Sequence, residues 1–393
     1  MTRSLLAAVL VFAAAGSFAQ GIDPLRNVSG TTSNPGELSP WISGAAGGWT
    51  FFHGLNAHVT HVNESGPEEP RNEVFSTNWF VAGLHRDFGG RGFALVRGRV
   101  SLEPYTMPED GGYPQMLQYV SREAGGPVID RMRPHDLIGE VALHAGWRPT
   151  TNTLLHAYVA AVGDPALGAA PFAMRSSGAD LAEAPFSYEI QEPFHDSTNV
   201  VTAGFATKWI GVEASIFHDA VTFGDHTEID SDEFDSKSAR LTLTPTPNVV
   251  LQISRGELAE NTTNQRDITT GSVSYGTQYV SVTALWTRRE NTDFSDTAYG
   301  FELALRGARH TFTGRAEWVD RPLGFPVTVA PLATEQTTHF AVGYIFDFIS
   351  RPTLRAGVGV NADYHTQSHE LPHEYGHKPQ AIYAFLRVRT GRL

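Results

Sequence analysis

Two short runs bring base, acid and hydroxyl side chains together: Pro134-His135-Asp136 and His195-Asp196-Ser197-Thr198. An imidazole that activates a hydroxyl, itself oriented by a carboxylate, performs acyl transfer. An imidazole and carboxylate alone can activate water. His135, Asp136, His195, Asp196 and Ser197 are therefore candidates for a hydrolase. Adjacent residues of an extended chain point in different directions, and catalytic groups are defined by geometry rather than adjacency. The competing reading is local turn bonding by Asp196, Ser197 and Thr198. A second pattern is His365, His369, His373 and His377, spaced four apart. On a helix they would form a stripe suited to Zn, Cu or Ni. Pro372 and Gly376 interrupt that segment and favour a solvated loop. The acidic run from Asp225 to Asp235 could attract a divalent cation, but it lacks the glycine and ligand spacing of an EF-hand loop. No cofactor is expected.

A third set is defined by alternation. Arg97, Arg99, Glu103, Glu140, His144, His156, Glu213, Arg240, Glu302, Arg306, Arg315, Glu317, Arg387 and Arg389 occupy every second position of segments whose other positions are apolar. Tyr299, Phe301, Leu303 and Leu305, for example, alternate with Gly300, Glu302, Ala304 and Arg306. Period two is the pattern of a half-buried strand. Full charges along one face are expensive in a soluble core and tolerated in a barrel lumen.

Such strands are expected near 48–62, 74–87, 92–105, 137–148, 152–163, 199–207, 209–219, 236–246, 247–257, 267–276, 277–289, 294–306, 309–320, 335–349, 353–363 and 380–392. Every second connection is tight, as at Gly89-Gly90-Arg91 and Pro245-Thr246-Pro247. The others are longer, and 106–136 and 164–198 are very long. Tight turns at one end and long loops at the other predict an all-β, up-and-down, antiparallel transmembrane barrel of about 16 strands. An even count places both termini at the tight-turn, periplasmic side. Trp49, Trp147 and Trp209 fall near that end, and Trp79, Trp286 and Trp318 near the other, as two interfacial girdles would require.

Composition agrees. Met1–Gln20 has one early positive charge, Arg3, then an apolar run and the small residues of Ser17-Phe18-Ala19. It is expected to be a signal peptide, residues 1–19. Removing it leaves 28 basic and 42 acidic residues, a formal charge of 28 − 42 = −14, which argues against nucleic acid as a partner. Without cysteine there are no disulfides, thiolate metal sites or cysteine nucleophiles. Residues 20–47, rich in Gly, Ser, Thr and Pro, read as a flexible periplasmic leader, and 48–393 as the barrel.

Several stretches together resemble an uncharacterised family of bacterial outer-membrane barrel proteins. They are FSTNWF (Phe75–Phe80), SLEPYTMPEDGGYPQMLQ (Ser101–Gln118), IDRMRPHDL (Ile129–Leu137), GDPALGAAPFAMRSSG (Gly163–Gly178) with Glu183-Ala184-Pro185, HDSTNVVTAGF (His195–Phe205) and Ser236–Gly256. The resemblance implies fold and location, and no biochemistry. Family members often carry extra His in the 164–198 loop, where this chain has Ala173-Met174-Arg175 and Ser187-Tyr188.

The function expected first is a passive, porin-like channel for small polar solutes, with the charged ladder as its selectivity element. A rim-located hydrolase and a non-conducting barrel with metal- or partner-binding loops are the alternatives. The expected partners are outer-membrane lipid and lipopolysaccharide, the barrel-assembly machinery and the solutes. The two longest loops, punctuated by Gly and Pro, are expected to be ordered.

Overall fold

The computed structural model describes residues 23–36, 38–65, 72–108, 112–123, 126–132, 134–192, 194, 197–219, 226–229, 231–259, 265–290, 295–322, 334–367 and 379–391. The expected signal peptide lies outside them.

Sixteen long strands follow one another. They are β1 (Trp49–Glu64), β2 (Asn72–Phe88), β3 (Gly92–Val100), β4 (Ile138–Thr150), β5 (Thr153–Val162), β6 (Thr198–Thr207), β7 (Ile210–His218) and β8 (Ser236–Thr246). They continue as β9 (Val249–Ala259), β10 (Gln265–Gly276), β11 (Val280–Glu290), β12 (Ser295–Arg306), β13 (His310–Pro322), β14 (Thr334–Arg351), β15 (Leu354–Gln367) and β16 (Gln380–Thr390). Each pairs antiparallel with the next, and β16 pairs back on β1, with Ala381 opposite Glu64 and Arg389 opposite Asn56. The closed sheet has no edge, which satisfies every ladder hydrogen bond without water. A short strand, Ile42–Ala46, pairs with the start of β1 and extends the row of β16 past Arg389.

The alternation in the sequence is realised in burial. On β12, Tyr299, Phe301 and Leu305 are exposed on the outer wall, while Glu302, Ala304 and Arg306 are buried inside. Turns of two or three residues close one end, for instance after β4, β6 and β8. At the other end the chain needs 101–137 between β3 and β4 and 163–197 between β5 and β6. No helix among the described residues is long and apolar enough to cross a membrane. That end-to-end asymmetry puts the starts of β1 and the finish of β16 together at the tight-turn end.

Three expectations are corrected. The third strand stops at Val100 rather than continuing to 105, because Ser101 Oγ accepts the Glu103 N–H at 3.1 Å and Pro104 opens a helical turn, Glu103–Thr106. Trp79 does not join an interfacial girdle. It points inward, is buried, and donates its indole N–H to the Ala173 carbonyl at 3.0 Å. Trp49, Trp147, Trp209 and Trp318 do face outward and are exposed. The described part of the leader is not a free tether. Asn27–Ser29 and Thr32–Ser33 form a two-stranded hairpin, and Val28, Ser29 and Thr32 are buried within the barrel. Its order comes from strand arginines described below.

The interior is filled as well as charged. Val28 of the leader and Ala170 and Met174 of the 163–197 loop pack with Phe52, Val81 and Leu95 of the wall. Leu167 and Phe194 pack on Tyr158, Val200, Phe217, Leu258 and Ile268. The inward face therefore mixes apolar patches with charges, and both are covered by the two inserted segments.

Candidate functional site

The loop joining β5 to β6 turns into the barrel and crosses it. Its backbone is first held by wall hydroxyls: Ala166 N–H donates to Ser215 Oγ at 2.7 Å and Gly168 N–H to Ser254 Oγ at 2.8 Å. Its own charges then meet the ladder. Arg175 binds Glu302 of β12 through two nitrogens, at 2.7 and 2.8 Å, and Glu192 of the loop at 2.7 Å. Bidentate guanidinium–carboxylate pairing fixes orientation as well as charge. Asp180 accepts from Arg306 at 2.8 Å and is bound by Arg387, with Arg389 at 3.0 Å. Glu183 lies 3.6 Å from Arg315 and accepts from Asn361. The Phe186 and Ser187 N–H groups both donate to Glu317, at 2.8 and 3.0 Å. A turn of helix, Tyr188–Gln191, finishes the crossing.

These loop groups titrate abnormally, for physical reasons that can be named. Burial alone would raise the Asp180 carboxyl, but Arg389, Arg387 and Arg306 together hold it far below the usual carboxylate range. Burial would lower Arg175, and Glu302 and Glu192 reverse this and push it above its ordinary value. Glu183 goes the other way. Burial, then the nearby Asp363 charge, push it up to about 8 despite Arg315, which is also bonded to Glu302.

A second cluster grips the leader. Arg97 forms a bidentate pair with Glu140, at 2.7 and 2.8 Å, and donates to the Asn27 and Gly30 carbonyls at 2.6 and 2.7 Å. Tyr158 donates its hydroxyl to the same Glu140 at 2.7 Å. Arg240 pairs with Glu213 at 2.8 Å and donates to Thr31 and Thr32 hydroxyls, both at 2.7 Å. Arg99 reaches Ser29 Oγ at 2.7 Å and Asp164 at 3.4 Å. Leader and loop also bond each other, Asn34 to the Met174 carbonyl at 2.9 Å. Gly30 has φ of +49°, and a side chain there would come within 2.5 Å of the Asp164 carbonyl oxygen. Only glycine suits both the turn and that approach.

The expected ladder residues Arg97, Arg99, Glu140, His144, Glu213, Arg240, Glu302, Arg306, Arg315, Glu317 and Arg387 all face inward and are buried. Glu103 is buried in its helical turn and accepts from the backbone N–H of Asn78 and His135. His144 and His156 face each other, with Nε2 and Nδ1 3.1 Å apart. They line a small cavity at the tight-turn end, between the leader and β4 to β9, with Asp23, Thr31 and Glu213. Smaller cavities lie on the long-loop side, beside His135 and Met174 and beside His58 and Phe172.

The described hydrolase candidates, His135, Asp136 and Ser197, each have a separate partner. His135 Nδ1 lies 2.8 Å from Glu103, and Asp136 lies 2.6 Å from His226. Ser197 donates its hydroxyl to the Phe194 carbonyl at 2.8 Å. His195 and Asp196 lie outside the described residues, as do His369, His373 and His377. His365 faces inward, stacked on His339 at 4.6 Å between ring centres. His339 in turn bridges Glu317 at 2.8 Å and Asp363 at 3.1 Å. Among the described residues, no three His, Cys, Asp or Glu are arranged to hold a metal ion. The sequence reading missed the loop partners Asp164, Arg175, Asp180, Glu183 and Glu192. Five charges inside a Gly- and Pro-rich loop of a barrel with a charged lumen were the available clue.

No family model and no curated protein matches the chain. Solved structures do. An anion-selective porin from Comamonas acidovorans superposes with a TM-score of 0.54 at 11% identity, over 87% of this chain and 99% of that one. Salmonella typhi OmpF, in complex with daunomycin, gives 0.54 at 9% identity, over 88% of this chain and 100% of that one. At these identities the likeness establishes the fold, a closed 16-stranded antiparallel barrel of the outer-membrane porin type.

Proposed function

We propose that this barrel is a passive channel of the outer membrane for small polar solutes, with both termini periplasmic and its aperture set by the 163–197 loop and the leader hairpin. The observation that carries the reading is the loop itself, stretched across the lumen with its charges paired to arginines and glutamates of the wall, and with a cavity on either side of it. A 16-stranded barrel is wide enough for an aqueous path unless something enters it. Two ordered segments do. Fixed charges of both signs at a narrow passage favour small polar solutes over apolar ones. The ladder arginines and glutamates hold the segments that define the aperture and supply its field.

The near-complete burial of those same charges favours a second reading, a sealed barrel that acts through its loops. Planar-bilayer conductance separates the two. The full chain is expected to give small, steady conductance steps, and deletion of residues 23–40 to enlarge them severalfold. Silence in both proteins would abandon the channel for the sealed barrel.

A further inference from the structure

On the outer wall, β8 to β12 carry an open apolar groove lined by Leu241, Ile253, Val273, Ala284, Trp286 and Tyr299. Directly above it, toward the long-loop end, outward-facing cations appear. Arg255 stands two residues beyond Ile253, Arg288 two beyond Trp286, and Lys237 four before Leu241. The strand register sets Arg255 and Arg288 at one height, both opposite Thr269, and Lys237 one step higher, opposite Glu257. Their side chains are 62%, 52% and 64% exposed. Among the described side chains, the outward lysines and arginines at this end of the barrel fall on these strands alone. Each rests against a carboxylate, Asp267, Glu290 or Glu257, at 2.6–2.8 Å. Exposed pairs of this kind are weak and exchange readily. Guanidinium groups are well matched to phosphate oxygens.

We propose that this face binds a phosphate-bearing, multiply acylated lipid, with phosphate on Arg255, Arg288 and Lys237 and an acyl chain in the groove below. The charge is at headgroup height and the groove at chain height, which a free phosphate could not use and a neutral lipid could use only in part. A second copy of the chain would also fill an apolar groove, but it would not call for cations confined to its upper rim. The site rests on the reading that the barrel spans a lipid bilayer, and not on conduction, so a silent bilayer recording leaves it standing.

The test uses the purified full chain in neutral detergent, titrated with a hexa-acylated diglucosamine bisphosphate and with its dephosphorylated form, and read by Trp fluorescence and native mass spectrometry. The phosphorylated lipid is expected to bind at least tenfold more tightly. Arg255→Ala with Arg288→Ala should abolish that preference, and Ala284→Phe should weaken both lipids while leaving the barrel folded. Equal affinity for the two lipids would overturn the proposal. So would full competition by millimolar inorganic phosphate, or an Ala284→Phe protein that changes oligomeric state with lipid binding intact.

Discussion

Glu183 sits where a carboxyl is least at ease, buried, near Asp363, and sharing Arg315 with Glu302. With the loop seated its proton is held up to about 8, whereas a released loop ionises in the ordinary glutamate range. Between those two values the seated state carries the extra proton, so rising pH favours release. The 163–197 loop is therefore expected to be most firmly held near pH 5 and to loosen progressively toward pH 8. Limited proteolysis across that range would follow it, and Glu183→Gln, which keeps the neutral shape, should flatten the dependence. If the variant and the native protein lose protection in parallel, Glu183 is not the titrating group. Asp180 faces three arginines and keeps its charge throughout this window. The individual members of the ladder were legible from alternation, as Glu302 and Arg306 illustrate. Their partners were not, because Arg175 and Asp180 reach them across more than a hundred residues of chain.

At the scale of elements, period-two patterning was enough to place all sixteen strands, since each buries one face and shows the other. It failed where order is imposed from elsewhere. The leader's Gly, Ser, Thr and Pro look like a linker by composition. Its hairpin exists because Arg97 and Arg240 present guanidinium donors that its carbonyls and hydroxyls complete. Propensity cannot report a partner 67 residues away. The fit can be broken at one position. Gly30→Val puts a branched side chain where φ is positive and the Asp164 carbonyl is already close, a combination that costs about 1–3 kcal/mol or more. It should unseat the hairpin and raise single-channel conductance toward that of the protein lacking 23–40. Unchanged steps would mean that the hairpin does not narrow the path. The end of β3 was missed for a smaller reason: Ser101 and Pro104 build a local turn that a strand pattern does not anticipate.

For the molecule as a whole, the outer wall is as demanding as the interior. Val342, near the middle of β14, is 65% exposed on the outer face. Placing arginine there should cost about 2–4 kcal/mol in a bilayer, measured by urea titration in lipid vesicles, and much less in detergent, where the head can reach water. Equal losses in the two media would deny that this face meets hydrocarbon. The seam between β16 and β1 bears on how the protein is made. Thr390 Oγ1 donates to the Pro40 carbonyl at 3.0 Å, so the strand that seals the cylinder is tied to the stretch that leads out of its interior. The stretch that fills the interior thus lies early in the chain and the strand that seals the sheet lies late in it. Biogenesis becomes a race between capture of that early stretch and zipping of the final strand, and a chain that zips first would be left with its occupant outside.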